Sequence, residues 1–91
     1  MKTPPLVEVT WEDAVANPRW MVPEEVEHFI GSPMMCVSTG YLVARTKGAV
    51  ILCGTLNDEG MQGSLHRIPA GMVRRIKQLR GNRGFKAQKV K

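Results

Sequence analysis

Residues 6–11 alternate between apolar and polar with the period of two that is typical of β-strands, residues 72–79 do so loosely, and residues 34–44 and 49–56 are mostly apolar and β-prone. This pattern predicts five strands, at residues 6–11, 34–44, 49–56, 61–68 and 72–79. Residues 45–48 and 57–60 each end in glycine and are predicted to be tight turns. The spacing at 72–79 alone also permits a helix. We favour a strand there, because a helix would leave the sheet open.

One short helix is predicted over residues 23–30, between the first two strands. Pro23 suits the first position of a helix, and the acidic residues that follow it favour the positive end of the helix dipole. Gly31 ends the helix, and Pro33 prevents its continuation. Gly40 interrupts the longest strand, where we expect a bulge or a sharp coil.

The predicted fold class is therefore mainly β: a small five-stranded antiparallel barrel of SH3-like or Sm-like type, with one short helix in the N-terminal half. The chain has 91 residues, which is the size of one domain. We assign residues 1–79 to the barrel domain and residues 80–91 to a basic, flexible C-terminal tail, since the tail cannot bury enough apolar surface to fold alone.

The tail carries the whole net charge of the chain, which is +5. Five basic residues and no acid lie in residues 80–91, whereas eight bases and eight acids balance in the remainder. Basic segments of this kind follow phosphate backbones, and an aromatic ring among them stacks on bases. The predicted nucleic-acid contacts are Arg80, Arg83, Phe85, Lys86 and Lys89. A solubilising end, or a tail ordered against a neighbouring subunit, is the alternative.

Further basic residues lie near the predicted turns and in the last strand, and on a symmetric oligomer they would form pockets for an anionic ligand. The predicted ligand-binding residues are Trp20, Arg45, Lys47, Arg67, Arg74 and Arg75. Strict alternation would place Val73, Arg75 and Lys77 on one face of the last strand and Arg74 with Ile76 on the other.

The chain is also rich in tryptophan and methionine for its size, and these residues are favoured in subunit interfaces. A small barrel has room for about half of them, so we expect a homo-oligomer. Trp20 is the leading interface or stacking residue because it falls in a loop. The set comprises Trp11, Trp20, Met21, Met34, Met35, Met61 and Met72.

Catalysis is not predicted, because no nucleophile, base or phosphate-binding glycine motif has a recognisable spacing. His28 and His66 are isolated, and Cys36 and Cys53 match no zinc pattern, so buried free thiols are expected. We predict no cofactor and no metal. No apolar run is long enough to span a bilayer and no signal peptide is evident, so a cytoplasmic protein without membrane contact is expected.

Three groups of residues resemble a family of small phage and prophage proteins. They are residues 9–13 with Trp20, the Gly40-Tyr41-Leu42 segment within residues 37–43, and Ile68-Pro69-Ala70-Gly71. That family has a "W-x-D … VGWLV … IP-x-G" layout, and the resemblance covers residues 7–79. It implies a small SH3-like barrel and a phage origin, and it brings no catalytic residues. This chain has Thr39-Gly40-Tyr41 where the family layout has Val-Gly-Trp.

Three functions follow as hypotheses. The first is a non-enzymatic phage-type protein whose homo-oligomer sequesters a small anionic, cyclic-nucleotide-like ligand and so counters host defence signalling. The second is an RNA- or DNA-binding module that uses the basic tail. The third is a protein-interaction or virion accessory protein. The first is favoured because the charge of the body is balanced, whereas nucleic-acid-binding barrels are usually basic across a face.

Overall fold

Five antiparallel strands and one helix make up most of residues 3–79, which are the residues that the computed structural model describes. The elements are β1 (Leu6–Asp13), α1 (Pro23–Ile30), β2 (Met34–Arg45), β3 (Ala49–Leu56), β4 (Gln62–Pro69), a 3₁₀ turn (Ala70–Met72) and β5 (Val73–Gln78). The five predicted strands and the helix are confirmed, and the last segment is a strand. The predicted tail lies outside the described residues.

The strands form one sheet in the order β4-β3-β2-β1-β5. Each neighbouring pair is antiparallel. β1 lies between β2 and β5, although β5 is the last strand in the chain. The two edge strands, β4 and β5, do not pair, so the sheet is open. The fold is therefore mainly β, with a five-stranded antiparallel sheet and one helix, and hydrogen bonds do not close the sheet into a barrel.

The sheet is nevertheless strongly curved. The rings of Trp11 on β1 and His66 on β4 lie 5.5 Å apart, edge to face. Three strand spacings separate β1 from β4, which is about 14 Å in a flat sheet. The indole Nε1 of Trp11 also donates a hydrogen bond of 2.9 Å to Oγ of Ser38 on β2. The concave face of the sheet therefore folds over its own core.

That core is small and comes from alternate positions of three strands. Val7 and Val9 of β1, Val50 and Leu52 of β3, and Ile68 of β4 are fully buried and form one cluster. Four half-buried side chains pack around the cluster: Trp11, Leu42, Val73 and Ile76. Of the two cysteines, which are both free, Cys53 is buried and Cys36 is half-buried.

Gly40 is required by close packing of β2 against β3, and of the two predicted irregularities, a bulge or a sharp coil, the bulge is not found at this residue. A Cβ atom on Gly40 would lie 2.9 Å from the carbonyl oxygen of Cys53 and 3.2 Å from Cβ of Leu52. The register of β2 with β3 shifts further along, between Leu42 and Ala44. Gly40 thus lets the two strands approach closely.

A second bulge changes which side chains of β5 share a face. Arg74 has no partner residue in the β1–β5 ladder, because the register with β1 shifts at this point. Val73 and Ile76, which a regular strand would place on opposite faces, therefore both pack against the core. The predicted grouping of Val73 with Arg75 and Lys77 is wrong, because strict alternation does not hold across a bulge.

The helix α1 is well formed but contributes nothing to the core. The side chain of Glu25 accepts a hydrogen bond of 3.3 Å from the backbone N–H of Val22, and the N–H of Gly31 bonds to the carbonyl of Glu27. No residue of α1 is buried. Among the described residues, no helix has the length and apolar character needed to cross a bilayer.

Candidate functional site

A cavity of about 220 Å³ lies where the β2–β3 hairpin approaches the 3₁₀ turn and β5. The backbone N–H of Ala70 bonds to the carbonyl of Gly48 at 3.0 Å, which ties the hairpin to the 3₁₀ turn. We call this space the basic cavity. Its lining residues are Arg45, Thr46, Val50, Ala70, Val73, Arg74, Arg75 and Ile76.

Thr46 fixes the backbone of the hairpin beside the basic cavity. Its hydroxyl oxygen accepts hydrogen bonds from the N–H groups of Gly48, at 3.2 Å, and Ala49, at 3.0 Å. The backbone N–H of Thr46 bonds to the carbonyl of Ala49 at 2.8 Å. Arg45 and Lys47 flank Thr46 in sequence, so this turn holds the main chain of both cationic residues in place.

The three arginines of the basic cavity differ in their partners. Nη2 of Arg74 lies 3.1 Å from a carboxylate oxygen of Glu12, and its Nη1 donates to the carbonyl of Gly71 at 2.9 Å. Arg45 and Arg75 form no ion pair with any carboxylate of residues 3–79. Both are exposed. The cavity therefore has three arginines in its lining, two of them without a carboxylate partner among residues 3–79, and guanidinium groups are donors suited to carboxylate or phosphate.

Three of the six predicted ligand-binding residues, Arg45, Arg74 and Arg75, thus come together at one cavity. Lys47 lies in the adjoining turn but does not line the cavity. Arg67 is opposite Ile51 in the β3–β4 ladder and is exposed outside the cavity. Trp20 lies in the loop before α1 and is 99% exposed. The predicted nucleic-acid contacts, Arg80, Arg83, Phe85, Lys86 and Lys89, lie outside the described residues.

Two further cavities beside α1 were not predicted from the sequence, although the helical spacing of Val22, Val26, Phe29 and Ile30 is a signal for an apolar helix face. One, of about 410 Å³, is lined by Asn17, Arg19, Met21, Glu24, Glu25, His28, Phe29 and Ser32. The other, of about 310 Å³, is lined by Glu12, Asp13, Ala14, Val15, Phe29, Ile30, Ser32, Pro33 and Met72. Phe29 and Ser32 border both.

The two histidines and the other residues of metal-ligating type lie on several elements of the part of the chain that the structure describes. No three His, Cys, Asp or Glu side chains among residues 3–79 are close enough to hold a metal ion. His66 packs against the ring of Trp11, whereas His28 borders the larger cavity beside α1.

No protein-family model matches the chain, and comparisons with curated proteins and with solved structures give no significant match. The resemblance to small phage proteins therefore remains a prediction from the sequence. The geometry of the molecule alone must guide a functional proposal.

Proposed function

We propose that this protein is a non-catalytic binding protein of phage type, built on a small SH3-like or Sm-like barrel. Its homo-oligomer captures a small anionic ligand of the cyclic-nucleotide class and so counters host defence signalling in the cytoplasm. No cofactor takes part, and the ligand is held and not converted.

The observation that carries this proposal is the meeting of Arg45, Arg74 and Arg75 at the basic cavity. Guanidinium groups bind phosphate through paired, charge-assisted hydrogen bonds, which are about twice as strong as neutral ones. Arg74 already pairs with Glu12 at 3.1 Å. The other two arginines have no carboxylate partner among residues 3–79, so a ligand would not have to displace one.

The size of the basic cavity also supports an oligomeric site. Pockets for small molecules usually measure about 300–1,000 Å³, and this cavity measures about 220 Å³. It has room for a phosphate group and not for a whole nucleotide. In the proposed assembly a second copy covers the base and sugar of the ligand, which is the arrangement that symmetric interfaces allow.

The direct test is equilibrium binding of a labelled cyclic dinucleotide and a labelled cyclic mononucleotide to the purified full chain. Substituting Arg45→Gln or Arg75→Gln should weaken binding by about tenfold or more, because each removes hydrogen bonds from a cation to phosphate. Arg67→Gln is the matched control. It removes one exposed arginine that does not line the cavity, and binding should stay within about twofold.

Nucleotides recovered by heating the protein, after incubation with lysates that contain such signals, would identify the ligand by mass spectrometry. Equal losses in the Arg75→Gln and Arg67→Gln variants would show that only net charge matters and would contradict the proposal. Absence of binding by the unsubstituted protein to both labelled probes would also contradict it.

Nucleic-acid binding by the tail is the second candidate, and the observation that favours it is the confinement of the whole net charge of +5 to residues 80–91. Removing these residues separates the two functions. Binding to a polymer should fall steeply with added salt and be lost on truncation. Capture of a small ligand at the basic cavity should survive the same truncation.

A further inference from the structure

The helix α1 presents an apolar face that the rest of the described chain does not cover. Val22, Val26, Phe29 and Ile30 follow the spacing that places side chains on one side of a helix. In a single domain such a face normally packs on the core, because the burial of an amphipathic face supplies most of the stability of a short helix. Here all four residues are exposed, from 38% for Phe29 to 76% for Ile30.

Neighbouring segments extend this uncovered surface. We call the loop 14–22 together with α1 the arm. Met34 and Met35 pair with the end of β1 and are about half exposed, and Val15 is 45% exposed. The cavity of about 310 Å³ joins Val15, Phe29 and Ile30 to Met72 of the 3₁₀ turn. This cavity therefore connects apolar side chains of the arm with the 3₁₀ turn at the end of the sheet.

Trp20 is the largest exposed side chain of this surface. At 99% exposure it contacts almost nothing in its own chain. An aromatic side chain buries about 150–250 Å² when it is covered. Together with the other exposed apolar residues of the arm, Trp20 provides an uncovered area of the same order as the roughly 800 Å² that a stable interface buries on each partner. One such patch on each of two copies is enough for a specific dimer.

A receptor for this indole lies on the same arm. The cavity of about 410 Å³ has Met21 and Phe29 among its lining residues, and the Arg19–Glu25 ion pair, at 3.1 Å, also borders it. Its volume is within the range of sites that hold whole drug-sized molecules, which are larger than an indole. Sulfur and aromatic side chains of this kind make favourable contacts with a tryptophan ring.

We propose that two copies of this chain associate arm to arm, and that the Trp20 indole of each copy lies in the larger cavity beside α1 of the other. The Trp20 indole and the cavity that receives it belong to the same arm. Two copies related by a two-fold axis therefore form both contacts at once, as an isologous interface requires. This interface is separate from the contact over the basic cavity that the proposed function requires. A dimer that Trp20→Ala disrupts while ligand binding persists, or the reverse, distinguishes the two proposals, whereas a strictly monomeric protein contradicts both.

Analytical ultracentrifugation of the ligand-free full chain, from micromolar to millimolar concentration, tests the proposal. The unsubstituted protein should form a dimer, and Trp20→Ala should weaken dimerisation by about 100-fold or more, because each dimer loses two anchoring indoles. Trp20→Phe should keep part of the affinity. Leu65→Ala is the matched control: Leu65 is 61% exposed on β4 and lines neither cavity beside α1, so dimerisation should not change.

A second measurement follows the indole itself. With fluorotryptophan incorporated, the protein has two ¹⁹F resonances, and the one that is lost in Trp20→Phe belongs to Trp20. This resonance should shift as the dimer forms. A protein that stays monomeric at millimolar concentration would overturn the proposal. So would an oligomer that Trp20→Ala leaves intact, whose assembly must then use another surface, such as the unpaired edges of β4 and β5.

Discussion

Replacing Gly40 with alanine adds a single methyl group at a place where β2 and β3 leave no room for it. That methyl group would lie 2.9 Å from the carbonyl oxygen of Cys53 and 3.2 Å from Cβ of Leu52. Neither atom is at the free end of a flexible side chain. Both residues are buried, with exposed fractions of 1% for Leu52 and 0% for Cys53. The strain can be relieved only if β2 and β3 separate, which disturbs the core.

The expected cost follows from two opposing effects. Overpacking of a well-filled site costs about 1–3 kcal/mol. Replacing glycine also restricts the unfolded chain, which returns about 0.4–1 kcal/mol. At the middle of the two ranges, the net loss in the free energy of unfolding for Gly40→Ala is about 1.3 kcal/mol. In a domain of this size that lowers Tm by about 5–10 °C.

Urea denaturation and thermal unfolding, followed by circular dichroism, measure this loss. Gly71→Ala is the control, because no heavy atom lies within 4 Å of the Cβ position at Gly71 and its φ is not in the left-handed region. Stability should be unchanged there or rise by up to about 1 kcal/mol. If the two variants have the same Tm, the close approach of β2 and β3 at Gly40 does not limit the side chain, and the reasoning is refuted.

Two hydrogen-bond predictions concern other parts of the sheet. Ser38→Ala removes the acceptor of the Trp11 indole, so the free energy of unfolding in urea should fall by about 1–3 kcal/mol; an unchanged value would mean that water replaces the hydroxyl. The side-chain oxygen of Asn57 accepts hydrogen bonds from the N–H groups of Glu59, at 3.0 Å, and Met61, at 2.8 Å. Asn57→Ala removes this acceptor, so the free energy of unfolding should fall by about 1 kcal/mol and Tm should fall with it. Asn57→Asp keeps that acceptor and should stay near the unsubstituted Tm; an equal loss in both variants would contradict this role of the side chain.

The strands and the helix could be predicted because each has a local cause. Residues 49–56 are apolar and rich in β-branched side chains between two glycine turns, and Pro23 and Gly31 delimit α1. The two register shifts could not be predicted in this way. An extra residue in one strand leaves the composition of the strand unchanged, and only the pairing with the neighbouring strand reveals it.

The candidate site was predicted in part for a related reason. Arg45, Arg74 and Arg75 are recognisable in the sequence as basic residues near turns, but their meeting depends on how far the sheet curls, which alternation does not encode. Arg67 has the same local character, and its pairing opposite Ile51 places it elsewhere. The exposure of α1 was not predicted, because an amphipathic helix in a sequence gives no indication of which surface covers it.

The position of β1 between β2 and β5 has a consequence for how the chain reaches this structure. The contact of Arg74 with Glu12 joins residues 62 positions apart, and the whole β1–β5 ladder is of this long-range kind. Closing so long a loop costs entropy before any contact compensates for it, so β5 should dock late and slowly. Until it docks, one edge of β1 remains open to strands of other molecules. The rate at which β5 docks therefore decides how long β1 is exposed to aggregation.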